Sequence, residues 1–152
     1  MSHDRHSERW IVILVDDERG QMELYKHGLE LFCLHKARVK IEIISSPDDA
    51  LAKMKTLECS EEPVLWIVDS MMPCFEGQEP ASGEDEDCFF TGVELIRRLM
   101  AHVKRRDHGY LLMTHLRAQD VERAAVGLTV MVLEKAKCSP KTLSRVVDKI
   151  IA

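Results

Sequence analysis

No apolar run in this sequence approaches the ~18 or more residues that a membrane span needs. The amino terminus, MSHDRHSER, also lacks the apolar centre of a signal peptide. Neither membrane insertion nor export is expected, and a cytoplasmic location is the default. A basic surplus is missing too: 21 Lys and Arg stand against 26 Asp and Glu, for a net charge of -5. That balance argues against a general nucleic-acid binder. The five cysteines, Cys33, Cys59, Cys74, Cys88 and Cys138, are odd in number and show no CxxC spacing, so neither a disulfide framework nor a zinc ribbon is indicated. They read as structural thiols, with Cys74 and Cys88 left open as a redox pair because they share one loop. Repeats and linkers are absent. What is present is an ordinary globular composition, 45% hydrophobic and 31% charged over 152 residues, which suits one domain with a real core.

Short apolar runs alternate with longer stretches of helical period. WIVILVDD reads as a strand ending in Asp16 and Asp17. From about Gln21 to His35 the residues Met22, Tyr25, Leu29 and Phe32 form a helical stripe. VKIEIIS reads as a second strand, and SPDDALAKMKTL as a helix with Ser46 as cap and Pro47 in the first turn. VLWIVD is rich in β-branched residues and apolar up to Asp69, as in a strand covered on both faces. The stretch CFEGQEPASGEDEDCFF, at about 74–90, reads as an acidic loop, long against the usual ~2–6 residues. TGVELIRRLMAHVKRR follows as a helix with Val93, Ile96, Leu99, Met100 and Val103 inward. YLLMTHL then gives a strand ending near Thr114, RAQDVERAAV a short helix, LTVMVLEK a fifth strand and SPKTLSRVVDKIIA a last helix. The alternation predicts an α/β fold, a doubly wound five-stranded parallel sheet with helices on both faces.

Ligands of such sheets bind outside the strand carboxyl ends, at the point where strand order reverses. The polar residues at those ends are Asp16 and Asp17, Asp69, Thr114 and Lys135. In the flavodoxin-like order 2-1-3-4-5 the three carboxylates converge, and like charges that close raise one another's pKa unless something positive offsets them. A hard divalent cation with oxygen ligands, Mg2+, is the economical offset. Lys135 adds a second positive charge and Thr114 a hydroxyl donor. In that setting Asp69, alone on its strand, is the candidate nucleophile toward phosphorus, and Asp16 and Asp17 form a pair suited to metal.

These motifs, ILVDDE, LWIVDSMMP, TGVEL, LLMTH and VLEKA in that order, resemble the receiver domain of two-component response regulators over roughly Trp10 to Ala152. Residues 1–9 are then a flexible tail and 10–152 the receiver, with the acidic loop as an insertion. The resemblance implies phosphorylation of Asp69 by a sensor histidine kinase or a histidine phosphotransfer protein. It implies Mg2+ on Asp17 and Asp69 directly, on Asp16 largely through water and on the main-chain carbonyl of Met71. Thr114 and Lys135 would contact the phosphoryl group. The sequence departs from the family pattern in four places. Ala136 follows the lysine where a proline is usual, Val132 stands where an aromatic residue is usual, His115 follows the threonine where a small residue is usual, and the loop after MMP is about a dozen residues longer.

The reading is a stand-alone receiver that carries no output domain and signals through a downstream protein target or a phosphorelay. Its chemistry would be limited to phosphorylation and dephosphorylation of its own Asp69. Two other classes compete with it. A pseudo-receiver would serve as a phosphate-independent interaction module, and a magnesium-dependent phosphatase of similar fold would carry a second acid two residues after the nucleophile, where this chain has Met71.

Overall fold

Val, Ile and Leu dominate the apolar runs, and in the computed structural model, which describes residues 9–77, 90–102 and 108–152, each run becomes a parallel strand. These are β1 (Trp10–Val15), β2 (Val39–Ile44), β3 (Val64–Asp69), β4 (His108–Thr114) and β5 (Met131–Glu134). Their order across the sheet is β2-β1-β3-β4-β5, the expected one. The crossovers run through α1 (Arg19–Phe32), α2 (Pro47–Leu57), α3 (Thr91–His102) and α4 (Ala118–Ala124), and α5 (Pro140–Ile151) closes the fold.

The two-residue period of the strands divides the core. Ile11, Ile13, Val15, Trp66, Val68 and Leu112 face Ala50, Met54, Val93, Ile96, Leu99 and Val121 of α2, α3 and α4. Val12, Leu14, Leu65, Ile67, Leu111 and Met113 face Met22, Tyr25 and Leu29 of α1 and Leu143, Val147 and Ile151 of α5. Both faces are covered, which is why β1, and β3 up to Asp69, are apolar rather than alternating. α1 and α5 approach closely at Gly28, where a Cβ would lie 2.3 Å from that of Pro140. No helix among the described residues is long and apolar enough to cross a membrane.

Helix caps follow the sequence. Ser46 accepts from the Asp49 amide at 3.1 Å, and Ser139 accepts from that of Thr142 at the same distance. Three boundaries differ from expectation. α1 starts at Arg19 and ends at Phe32 rather than running from Gln21 to His35, because Cys33 is extended and Asp148 gathers the next donors. β5 is four residues long, since its ladder to β4 begins only at Leu111 opposite Met131. α4 is likewise trimmed to seven residues. Residues 1–8 of the expected tail, residues 78–89 of the acidic loop and Val103 lie outside the described residues, and so does Cys88 of the Cys74 pair. Of the other thiols, Cys33 and Cys138 are buried as expected of structural cysteines, whereas Cys59 is exposed.

Candidate functional site

The carboxyl ends of β1, β3 and β5 meet in one crevice because β1 and β3 are neighbours at the reversal of strand order. Asp69, the last residue of β3, is 4% exposed; Asp16, just past β1, is fully buried; Asp17 is exposed. A ligand oxygen from each of these three acids can be chosen such that all lie within 4.8 Å of one another. Lys135, directly after β5, enters the same space at 6% exposure. Its ammonium donates to Asp16 Oδ2 at 2.7 Å and to the Gln21 side-chain oxygen at 3.2 Å, and it stands 3.3 Å from Asp69 Oδ2. Asp16 Oδ1 accepts the Glu18 amide at 2.9 Å, and Asp69 Oδ1 accepts the Met71 amide at 3.2 Å.

Charge sets the character of the crevice. Burial, and then the neighbouring Asp16 charge, push the Asp69 carboxyl up to about 7, against the opposing pull of Lys135 and the Met71 amide. Asp17 is also raised, by burial and by Asp16. Burial alone would lower Lys135, but its bonds to Asp16 and Asp69 outweigh that and raise it, so it stays charged. With all three acids ionised, one ammonium would leave two negative charges uncompensated, and each acid offers a carboxylate oxygen to the shared space. That donor set fits a small, hard divalent cation such as Mg2+, which takes oxygen ligands at about 2.0–2.1 Å.

Thr114 ends β4 and is fully buried. By strand alternation it lies with Leu112 on the face of α2 to α4, whereas Asp69 lies with Ile67 on the face of α1 and α5. The threonine hydroxyl accepts from Ser70 Oγ at 2.7 Å and from the Leu116 amide at 3.0 Å. Met71 follows on the loop leaving β3 and is half-buried. His115 sits on the rim, its Nε2 3.7 Å from Glu18 Oε2, and both side chains are about half exposed, at 50% and 55%. Three residues of this neighbourhood were not expected: Ser70, Gln21 and Gly92. A Cβ on Gly92 would stand 2.0 Å from the Asp69 carbonyl oxygen, so the start of α3 presses on the backbone of the key acid. TGVEL carried a signal for Gly92, since a glycine inside a first helical turn costs stability and invites a packing reason.

No family model matches the sequence, and no curated protein matches it. Solved structures do. The response regulator receiver domain (CheY-like) from Methylobacillus flagellatus is 18% identical, with 94% of this chain and 99% of that chain covered at a TM-score of 0.66. The phosphorylated cyanobacterial phytochrome response regulator RcpA is 13% identical over 93% of this chain and 91% of its own, at 0.63. The BeF3-activated DrrB receiver domain of Thermotoga maritima is 16% identical over 94% and 97%, at 0.62. This chain has the receiver-domain fold.

Within that receiver fold the unusual positions can be located. Val132 is half-buried in β5 and packs against the core face of α2 to α4. No cis peptide bond occurs among the described residues, so Ala136 follows Lys135 in trans, as its lack of a proline ring leads one to expect. Lys135–Lys137 then form a single 3-10 turn.

Proposed function

We propose that this protein accepts a phosphoryl group on Asp69 from a phosphohistidine donor, with Mg2+, and signals by phosphorylation-dependent protein contact or as a step in a phosphorelay. The observation that carries the reading is the convergence of Asp69, Asp16, Asp17 and Lys135 at the strand carboxyl ends, with the ammonium 3.3 Å from Asp69 Oδ2. Asp16, Asp17, Asp69 and the main-chain carbonyl of Met71 would hold the cation. When bound, Mg2+ would supply positive charge to the phosphoryl oxygens.

The remaining work falls to the chain's own residues. An Asp69 carboxylate oxygen attacks phosphorus, the P–N bond to the donor imidazole breaks as the new P–O bond forms, and the imidazole leaves with its electron pair. Lys135 favours the charged form of Asp69 and faces the oxygens of the group being transferred. Thr114 would donate its hydroxyl to one of them. Hydrolysis of the resulting acyl phosphate breaks the same P–O bond and restores the carboxylate. The new dianion would bias the fold between two arrangements. The partners would be a sensor histidine kinase or a histidine phosphotransfer protein and a protein target, with this protein acting in the cytoplasm.

Two neighbours lend support, one being a phosphorylated response regulator and the other a BeF3-activated receiver. Incubation with Mg2+ and acetyl phosphate, followed by intact-mass measurement, should give a single adduct that is absent in Asp69→Ala. Failure of the wild-type protein to form an adduct, or to bind beryllofluoride, would favour the phosphate-independent pseudo-receiver. Steady turnover of a phosphomonoester would favour a phosphatase instead.

A further inference from the structure

The Thr114 hydroxyl has a specific hydrogen-bond account. A hydroxyl offers one hydrogen and two lone pairs. Ser70 Oγ donates to Thr114 Oγ1 at 2.7 Å, and the Leu116 amide donates to the same oxygen at 3.0 Å. Both lone pairs are thus filled, and the hydrogen of Thr114 is the capacity left over, on a side chain with no solvent exposure. Ser70 is held firmly enough to set this arrangement. Its amide donates to the Met113 carbonyl at 2.9 Å, its carbonyl accepts from the Gly92 amide at 3.1 Å, and its side chain is fully buried. Gly92 in turn packs close against this backbone, since a Cβ there would meet the Asp69 carbonyl and the Ser70 Cα.

We infer that Ser70 is a positioning residue for phosphoryl acceptance: by donating to Thr114 it commits the threonine oxygen as acceptor and leaves its hydrogen free for an oxygen of the phosphoryl group on Asp69. A phosphoryl oxygen is an acceptor that the crevice beside Thr114 would gain on phosphorylation. Without Ser70 the hydroxyl can turn and spend its hydrogen on a backbone carbonyl, and the donor is no longer prepared. The device fits a receiver fold in which Val132 replaces the aromatic partner of a moving threonine, because here the threonine is fixed by Ser70, just past β3, rather than by an aromatic side chain on β5. The inference rests on the phosphoryl-acceptor reading given above.

The test is beryllofluoride binding, with Mg2+ affinity and thermal stability measured alongside, in wild type, Ser70→Ala, Thr114→Ala and the double variant. Ser70→Ala should weaken beryllofluoride binding by about three- to tenfold, the scale of one hydrogen bond, and leave Mg2+ affinity unchanged. In the Thr114→Ala background the same substitution should cost nothing further, because Ser70 acts through the threonine hydroxyl. Equal losses in both backgrounds would show a structural role and overturn the inference. So would tighter binding in Ser70→Ala, which would make the Ser70 bond a latch that holds Thr114 away. If wild type binds Mg2+ but no beryllofluoride, the phosphoryl-acceptor reading itself fails and takes this inference with it.

Discussion

Two carboxylates in this molecule receive opposite treatment. Asp148, on α5, collects three donors from the end of α1: Cys33 Sγ at 2.9 Å, the Leu34 amide at 3.0 Å and the His35 amide at 3.3 Å. Burial would raise its pKa, but those donors hold it below the ordinary carboxylate range. The Cys33 thiol is correspondingly pushed up to about 12, chiefly by burial and then by its bond to Asp148. Asp69 receives one backbone amide and a lysine, with a second acid beside it, and burial lifts it to about 7. The α1–α5 junction therefore uses its acid to close the fold, accepting the donors that the chain presents where α1 ends. At the strand ends donors are withheld, and the acid is left in want of positive charge. An under-supplied buried acid in a crevice is a mark of function rather than stability.

The most forceful way to break this contrast is to remove the cation of the crevice, Lys135. Lys135→Met leaves Asp16 and Asp69 buried without their partner and should cost about 3 kcal/mol in urea unfolding with metal chelated. Adduct formation from acetyl phosphate should fall about a hundredfold. Saturating Mg2+ should return part of the stability, since a cation bound to the folded state adds stability by mass action. If Mg2+ returned none, the acids would not be a cation site.

Asp148→Ala attacks the other side of the comparison and should cost about 1–3 kcal/mol, because the Cys33, Leu34 and His35 donors lose their acceptor. Phosphorylation should stay near wild type once the protein is folded. Strong loss of adduct in this variant, at temperatures where circular dichroism shows it folded, would tie the α1–α5 junction to the site and erase the distinction.

The Asp69 side of this contrast was legible in the sequence. Asp16, Asp17, Asp69, Thr114 and Lys135 could be collected by one positional rule, because parallel strands end on the same side and the apolar runs mark where they end. The strand order followed from the same family of folds. Asp148 was not legible, since its partners lie more than a hundred positions away and its place in the last helix looks like any solvated polar position. Ser70 was missed for a related reason. A serine after Asp69 reads as the start of a loop, and only the register that sets Asp69 opposite Met113 brings it beside Thr114. Helix and strand ends shifted because tertiary partners, not local pattern, decide where the last hydrogen bonds go.

The two acids should also bend the pH dependence of stability in opposite directions. Asp69 has a folded pKa of about 7 against 3.8 for the free group, so the folded state holds the extra proton between those values. Its contribution to stability is therefore lost as pH rises from about 4 through 7. Asp148 is lowered, so its contribution is present above the free value and lost as pH falls through the folded one. Metal-free wild type should thus lose stability from pH 4 to 7 relative to Asp69→Asn, by on the order of 2 kcal/mol, and excess Mg2+ should remove the difference. Identical slopes for the two proteins would show that Asp69 is not under-supplied.

The smallest effect should come from the rim. His115 stands next to Thr114 in sequence, and its Nε2 lies 3.7 Å from Glu18 Oε2 across the mouth of the crevice, which invites a catalytic reading. Yet about half of each side chain is open to water, so the pair is screened and holds two mobile groups for little return. His115→Ala should change stability by less than about 0.5 kcal/mol. The interior donors at Asp69 and Thr114 are untouched by the substitution, so the yield of adduct with acetyl phosphate should stay close to that of wild type. A large change in yield, or in the lifetime of the adduct, would move control of the chemistry from the buried acids and lysine to the solvated edge.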